Sequence, residues 1–219
     1  MIYDEGIPIR LTATNLLIEN KHLADTLGNT VLEIMSKNPI NEIIVANDVM
    51  EVFIRDKYPD MKIVSSVTKC ITKIEDLEKE LTKDYYLVVP NIRFNNTKEL
   101  LDISRPEKCE IMLNNSCSRE CNIEKEHYLQ ISANNMHLSC NQPFICQSCE
   151  FKDKDPMYII KNNPSNIDVD SLYNIYVKKG FKHFKIVGRA DPLNRSIFYY
   201  IYYMVKPEYQ LDVMSYLLT

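Results

Sequence analysis

Short apolar runs alternate with amphipathic helical patterns along most of this chain, and that alternation is its strongest constraint. Six runs have the length of a buried strand: Ile7–Thr12, Glu42–Ala46, Lys62–Val67, Tyr85–Val89, Glu110–Leu113 and Phe184–Val187. Between them, Leu23, Leu27, Val31, Ile34 and Met35 share one helical face, and Val49, Val52 and Phe53 share another. Ile74–Leu81 and Thr97–Ile103 read as short helices, with Asn96 or Thr97 placed to cap the second. Val169–Lys179 reads as a helix closed by Gly180, and Ser196–Leu218 as a helix broken at Pro207. Strand–helix alternation predicts a parallel sheet with helices on its faces, so the fold class is α/β. A complete eight-stranded barrel usually takes ~250 residues, and this chain has 219. The expectation is a TIM-barrel-like (β/α) barrel, shortened or incomplete, spanning residues 1–219 as one domain. An open doubly wound sheet is the competing architecture.

Residues 114–166 break the alternation. They are polar and cysteine-rich, with little periodicity after Tyr128. More than 50 residues between strands is far beyond an ordinary βα loop, and long loops at strand carboxyl ends are where barrels carry function. This insertion holds Cys117, Cys121, Cys140, Cys146 and Cys149, spaced C-x3-C, 18 residues, then C-x5-C-x2-C. Four thiolates converging from one loop suit a tetrahedral zinc or a [4Fe–4S] cluster. Zinc ribbons favour two C-x2-C knuckles; only Cys146 and Cys149 have that form, which favours the cluster. Cys117 and Cys121 are the firmest ligands, Cys149 follows, and either Cys140 or Cys146 is spare. A radical S-adenosylmethionine motif would need a cysteine where Glu124 stands. Cys70 and Cys109 adjoin strands and read as core residues.

Bulk composition narrows the setting. Apolar residues make up 45% and charged residues 26%, with a net charge of −4, which does not describe an overall nucleic-acid-binding surface. No apolar run approaches the ~18 residues of a membrane span, and the acidic start at Asp4 and Glu5 does not read as a signal peptide. A cytoplasmic, reducing location follows as an expectation, and there seven cysteines point to metal or redox chemistry rather than disulfides. The four glycines form neither a GxGxxG nor a P-loop pattern, which counts against nucleotide binding.

Polar residues at strand carboxyl ends are a barrel's natural catalytic stock. Here they are Asn47 and Asp48, Ser65 and Ser66, Asn91 and Arg93, Asn114 and Asn115, and Arg189. Arg93 and Arg189 are candidates to clamp a carboxylate or phosphate, and Asp48 is a candidate general base, with helix capping as its ordinary alternative. His127, close after the first two cysteines, is a candidate ligand or proton donor, with a helix-surface position as the alternative. His137 is a lesser candidate for a mixed zinc site. His22 and His183 read as structural or exposed. The run Tyr199, Tyr200, Tyr202, Tyr203 and Tyr209 offers aromatic faces for base stacking, or more simply a flank cover.

Ile111–Tyr128 ends a strand in Asn, then shows C-x3-C and His-aromatic; Gly180–Arg189 ends in Lys-Ile-x-Gly-Arg; Lys62–Thr68 is similar to a middle barrel strand. In these segments the chain resembles the collagenase-like peptidases (peptidase family U-thirty-two) and their relatives. The family's His-Gly-Ala and Ser-Gly elements around its cysteines are absent here. The resemblance implies a TIM-like barrel with a cysteine-bound [4Fe–4S] cluster at its mouth. It also implies oxygen-independent hydroxylation, on RNA bases or a quinone precursor, more than peptide cleavage. The expected function is an iron–sulfur barrel enzyme acting on a small anionic or aromatic substrate, or on RNA. The alternative is a non-catalytic module, pinned by zinc or a cluster, that completes its barrel with a partner chain in a homo- or hetero-oligomer. A metallopeptidase would need an open metal site, and no HExxH is present.

Overall fold

Leu11, Ile43 and Ile63 lie side by side in a parallel register, and the sheet around them follows from the sequence pattern. A computed structural model of the chain describes residues 5–137, 151, 154–188 and 192–218. The chain divides into two compact units: residues 1–91 with 121–147, and residues 92–120 with 148–219.

The first unit holds a four-stranded parallel sheet in the order β1 (Arg10–Ala13), β2 (Glu42–Val45), β3 (Lys62–Ser65), β4 (Leu87–Val88). Every residue of β2 is buried, as expected of an inner strand covered on both faces. Its apolar pair Ile43 and Val45 is wholly closed to solvent, each such side chain contributing ~1.5–3 kcal/mol. β1 is half-exposed at the edge, where Arg10 Nε donates to Glu42 Oε2 at 2.7 Å. β4 is short, and Pro90 follows shortly after it without an N–H to offer a ladder.

Helices α1 (Thr26–Ser36), α2 (Asp48–Lys57) and α3 (Ile74–Thr82) connect these strands. Asp25 caps α1 and Asn47 caps α2, each side chain accepting from two backbone N–H groups that no earlier carbonyl can reach. α3 is strongly amphipathic and buries Leu77, Glu80 and Leu81.

The second unit holds a parallel pair, β5 (Glu110–Met112) and β6 (His183–Lys185), with Ile111 opposite Phe184. The helices in it are α4 (Lys98–Leu101), capped by Thr97; α6 (Pro156–Asn162), capped by Asp155; α7 (Val169–Ser171), capped by Asp168; α8 (Leu193–Met204); and α9 (Gln210–Leu218). α7 runs on into a wider π-helical turn, Leu172–Tyr176. Gly180 stops it with φ +98°, a conformation other residues rarely adopt.

The architecture is α/β with parallel sheets, as the alternation predicted. All six expected strands are present. The insertion differs from its expected irregularity: it carries α5 (Glu124–Asn135) and α6. The apolar residues of α5 are not gathered on one face, so its sequence shows no helical stripe. Tertiary bonds within the first unit hold it instead: Asn15 Nδ2 donates to the Ser132 carbonyl, and the Leu16 N–H donates to Ser132 Oγ, both at 3.0 Å. Cys109 is buried as expected, but Cys70 is half-exposed, with a left-handed backbone. Of the tyrosines on α8, Tyr199 and Tyr203 are buried in the core and Tyr200 is exposed, so the run as a whole is no stacking platform. No helix among the described residues is long and apolar enough to cross a membrane.

Candidate functional site

β5 ends in Leu113, and the two asparagines that follow organise the start of the cysteine loop. Asn114 extends the β5–β6 ladder with its side chain. Its Nδ2 donates to the Val187 carbonyl at 2.6 Å and its Oδ1 accepts from the Val187 N–H at 2.8 Å, so one carboxamide imitates a peptide group. Asn115 then turns the chain: its Oδ1 accepts from the Cys117 N–H at 2.7 Å, and its own N–H donates to Asn166 Oδ1 at 2.7 Å.

Asn163, buried at the end of α6, meets this turn from the other side. Its Nδ2 donates to the carbonyls of Asn115 and Cys117 at 2.8 and 2.9 Å, and its Oδ1 accepts from the Ser165 N–H at 3.0 Å. Asn95 Nδ2 donates to the carbonyls of Met112 and Ser165 at 2.9 and 2.7 Å. Asn96, at φ +59°, donates through Nδ2 to Pro164 and Asn166 and through its backbone N–H to the Tyr176 hydroxyl at 2.7 Å. Asparagine suits these places because one short side chain offers both a donor and an acceptor and tolerates a left-handed backbone.

Cys117 is therefore held by its backbone on both sides, with its thiol half-buried. Cys121, in the other unit, is also half-buried, and neither thiol is in a disulfide. Cys140, Cys146, Cys149 and Arg189 lie outside the described residues. Among the described residues, no group of three or more His, Cys, Asp or Glu side chains comes together in a way that could hold a metal.

The other candidates sit as follows. Arg93 lies half-buried in the 3₁₀ turn Ile92–Phe94. His127 is on α5, its ring parallel to that of Tyr128 at 5.9 Å, and burial holds its imidazole below the usual histidine range. Asp48 is exposed at the first position of α2, where Asn47 is the cap, so the expected capping role belongs to the residue before it. The polar stock of the first sheet is also committed. Asn47 Nδ2 donates to the Leu16 carbonyl, Ser66 caps the short turn Val67–Lys69, and Asn91 Nδ2 donates to Glu124 Oε2 at 2.7 Å. His137, at φ +55°, follows the end of α5.

One polar cluster was not anticipated. Lys69 Nζ lies 2.8 Å from Glu80 Oε1, 2.7 Å from the Tyr85 hydroxyl and 3.5 Å from Glu51 Oε2. Ser65 Oγ donates to Glu80 at 2.6 Å, Lys83 pairs with the second Glu80 oxygen, and Tyr85 donates to Glu51. Burial opposes the charge on Glu80, but Lys69, Lys83 and Ser65 outweigh it and hold the carboxyl down to about 2. Burial and the Glu51 carboxylate push the Tyr85 phenol well above its ordinary range. The three ammonium protons of Lys69 have three acceptors, so the cluster braces α2 and α3 against β3 and presents no unengaged nucleophile.

The chain matches no protein-family model, no curated protein and no solved structure. From the sequence, Asn114 and Asn115 stand out as candidate polar residues and Asn96 as a candidate cap, but not Asn95, Asn163 or Asn166, nor the backbone-holding role that they share around Cys117. The signal was there in Asn95-Asn96, Asn114-Asn115 and Asn162-Asn163, pairs that recur where strands and helices end.

Proposed function

We propose that this chain is an iron–sulfur protein built on a shortened (β/α) barrel, with Cys117 and Cys121 as the first two ligands of a [4Fe–4S] cluster. The carrying observation is that both backbone polar groups of Cys117 are engaged by asparagine side chains. A ligand held that way needs little reordering when it binds metal. The parallel pairing within each sheet supports the barrel reading. Donor chemistry fits: thiolates are the normal ligands of such clusters, and Cys140, Cys146 and Cys149 supply the remainder by their spacing. A bound cluster would supply one-electron redox chemistry. This chain's own contribution would be to fix the ligands and, through Arg93 and Arg189, to orient an anionic or aromatic substrate in the cytoplasm. Oxygen-independent hydroxylation is the reaction that this reading favours.

A second reading is a zinc-pinned binding module without catalysis, favoured by the C-x2-C spacing of Cys146 and Cys149. Anaerobic purification with iron, zinc and acid-labile sulfide analysis and a visible spectrum separates the two. Iron and sulfide in near-equal amounts, lost in the Cys117→Ala, Cys121→Ala double variant, are expected. Zinc alone supports the second reading, and a metal-free protein overturns both.

A further inference from the structure

Arg119 lies within the cysteine loop, and among the described residues its guanidinium hydrogen-bonds to backbone carbonyls. Its Nη2 donates to the carbonyls of Asn95 and Pro164. Among the described residues no carboxylate pairs with it. Its Nε–H is buried and has no acceptor. The two residues that follow Pro164 share that condition: Ser165 Oγ and Asn166 Nδ2 are buried without a partner, on residues 0% and 4% exposed. The three groups belong to one hydrogen-bonded patch, because Asn96 Nδ2 donates to the Pro164 and Asn166 carbonyls and Asn95 Nδ2 donates to the Ser165 carbonyl.

Buried polar groups are nearly always satisfied, and each one left unmade costs about 1–3 kcal/mol. Four hydrogens here lack acceptors: one on Arg119 Nε, one on Ser165 Oγ and two on Asn166 Nδ2. A single water would accept only about two of them, and it would add two hydrogens of its own. A compact oxyanion has enough acceptor positions for all four, and its charge would balance the guanidinium.

We infer that Arg119, Ser165 and Asn166 form a binding site for a compact oxyanion, either inorganic phosphate or the carboxylate end of a small acid. The charge would come from Arg119, and Ser165 Oγ and Asn166 Nδ2 would add neutral donors. Asn166 Oδ1 is engaged by the Asn115 N–H, so the orientation of its amide, and hence of the donor, is set by the turn before Cys117. The site stands whether or not a cluster binds nearby.

The test is thermal unfolding of the full chain in rising inorganic phosphate, and separately in rising formate, at fixed ionic strength. A saturable rise in Tm with one of the two is expected, and the effective anion distinguishes phosphate from carboxylate. Asn166→Asp keeps the acceptor for Asn115 but puts a negative charge where the donor was. It should weaken the apparent affinity at least ten-fold. Ser165→Ala, a smaller change, should weaken it several-fold and guards against a misfolded Asn166 variant. A Tm that follows neither anion overturns the inference, as does a response that is the same in both variants as in the parent chain.

Discussion

Asn163 Nδ2 donates to the Cys117 carbonyl at 2.9 Å, and this bond ties the end of α6 to the turn that presents the first cysteine. The same carboxamide serves Asn115 and Ser165. Its loss would remove the partner that Asn163 gives to two carbonyls and an N–H.

Asn163→Ala should therefore destabilise the chain by about 2–3 kcal/mol, the usual cost of unsatisfied buried backbone groups. Asn163→Asp should cost at least as much, because it turns a negative acceptor toward two carbonyl oxygens. Equilibrium urea denaturation reads both. Midpoints unchanged from the parent would show that the cradle around Cys117 contributes nothing to folding.

The Glu80 cluster makes a prediction about acid. Glu80 has a folded-state pKa of about 2, against an ordinary glutamate value of 4.5. A depressed carboxylate contributes stability that is complete above the unfolded value. It is lost as pH falls from about 4.5 toward about 2. Urea midpoints measured from pH 6 to pH 2 should fall through that window. In Glu80→Gln the fall should be shallower, and stability at pH 7 should drop by roughly 2–4 kcal/mol, since Lys69 is left without its closest carboxylate. An equal acid slope in parent and variant would remove Glu80 from the account.

Tyr203 spans the second unit's core, its hydroxyl 2.9 Å from the Ile167 carbonyl and 3.2 Å from that of Leu113. One hydroxyl proton serves only one of them well, and Leu113 already accepts from the Ile167 N–H. Tyr203→Phe should thus cost about 1–2 kcal/mol, mostly from Ile167. Calorimetry or denaturation checks it, and a neutral effect would mean that Ile167 finds another donor.

Gly180 is the clearest backbone requirement, at φ +98° with a Cβ position 3.4 Å from Pro106 Cγ. Gly180→Ala should destabilise by roughly 1–3 kcal/mol through strain alone. A tolerated alanine would show that the turn after Tyr176 can relax.

Much of the fold was legible because its signals are local. Strand length and β-branched content announced β2 and β3, and Gly180 and Pro207 marked real interruptions. α5 was not legible, since its residues lack a stripe and its anchors, Asn15 and Leu16, lie more than 100 positions away. The capping role proposed for Asp48 moved by one place because the residue before the helix, with its extended backbone, is the one that can accept from the first turn.

By itself the sequence determined the α/β class, the parallel strands and the crowding of five cysteines into one loop. Each of these depends on periodicity, residue type or spacing along the chain. Only the tertiary structure decided which polar side chains are committed to backbone partners and which buried donors are left over. Asparagine looks the same in a sequence whether it caps a helix, copies a peptide group beside Val187 or holds the carbonyl of Cys117. The difference lies in which backbone groups the fold brings within 3 Å, and residues far apart in sequence settle that.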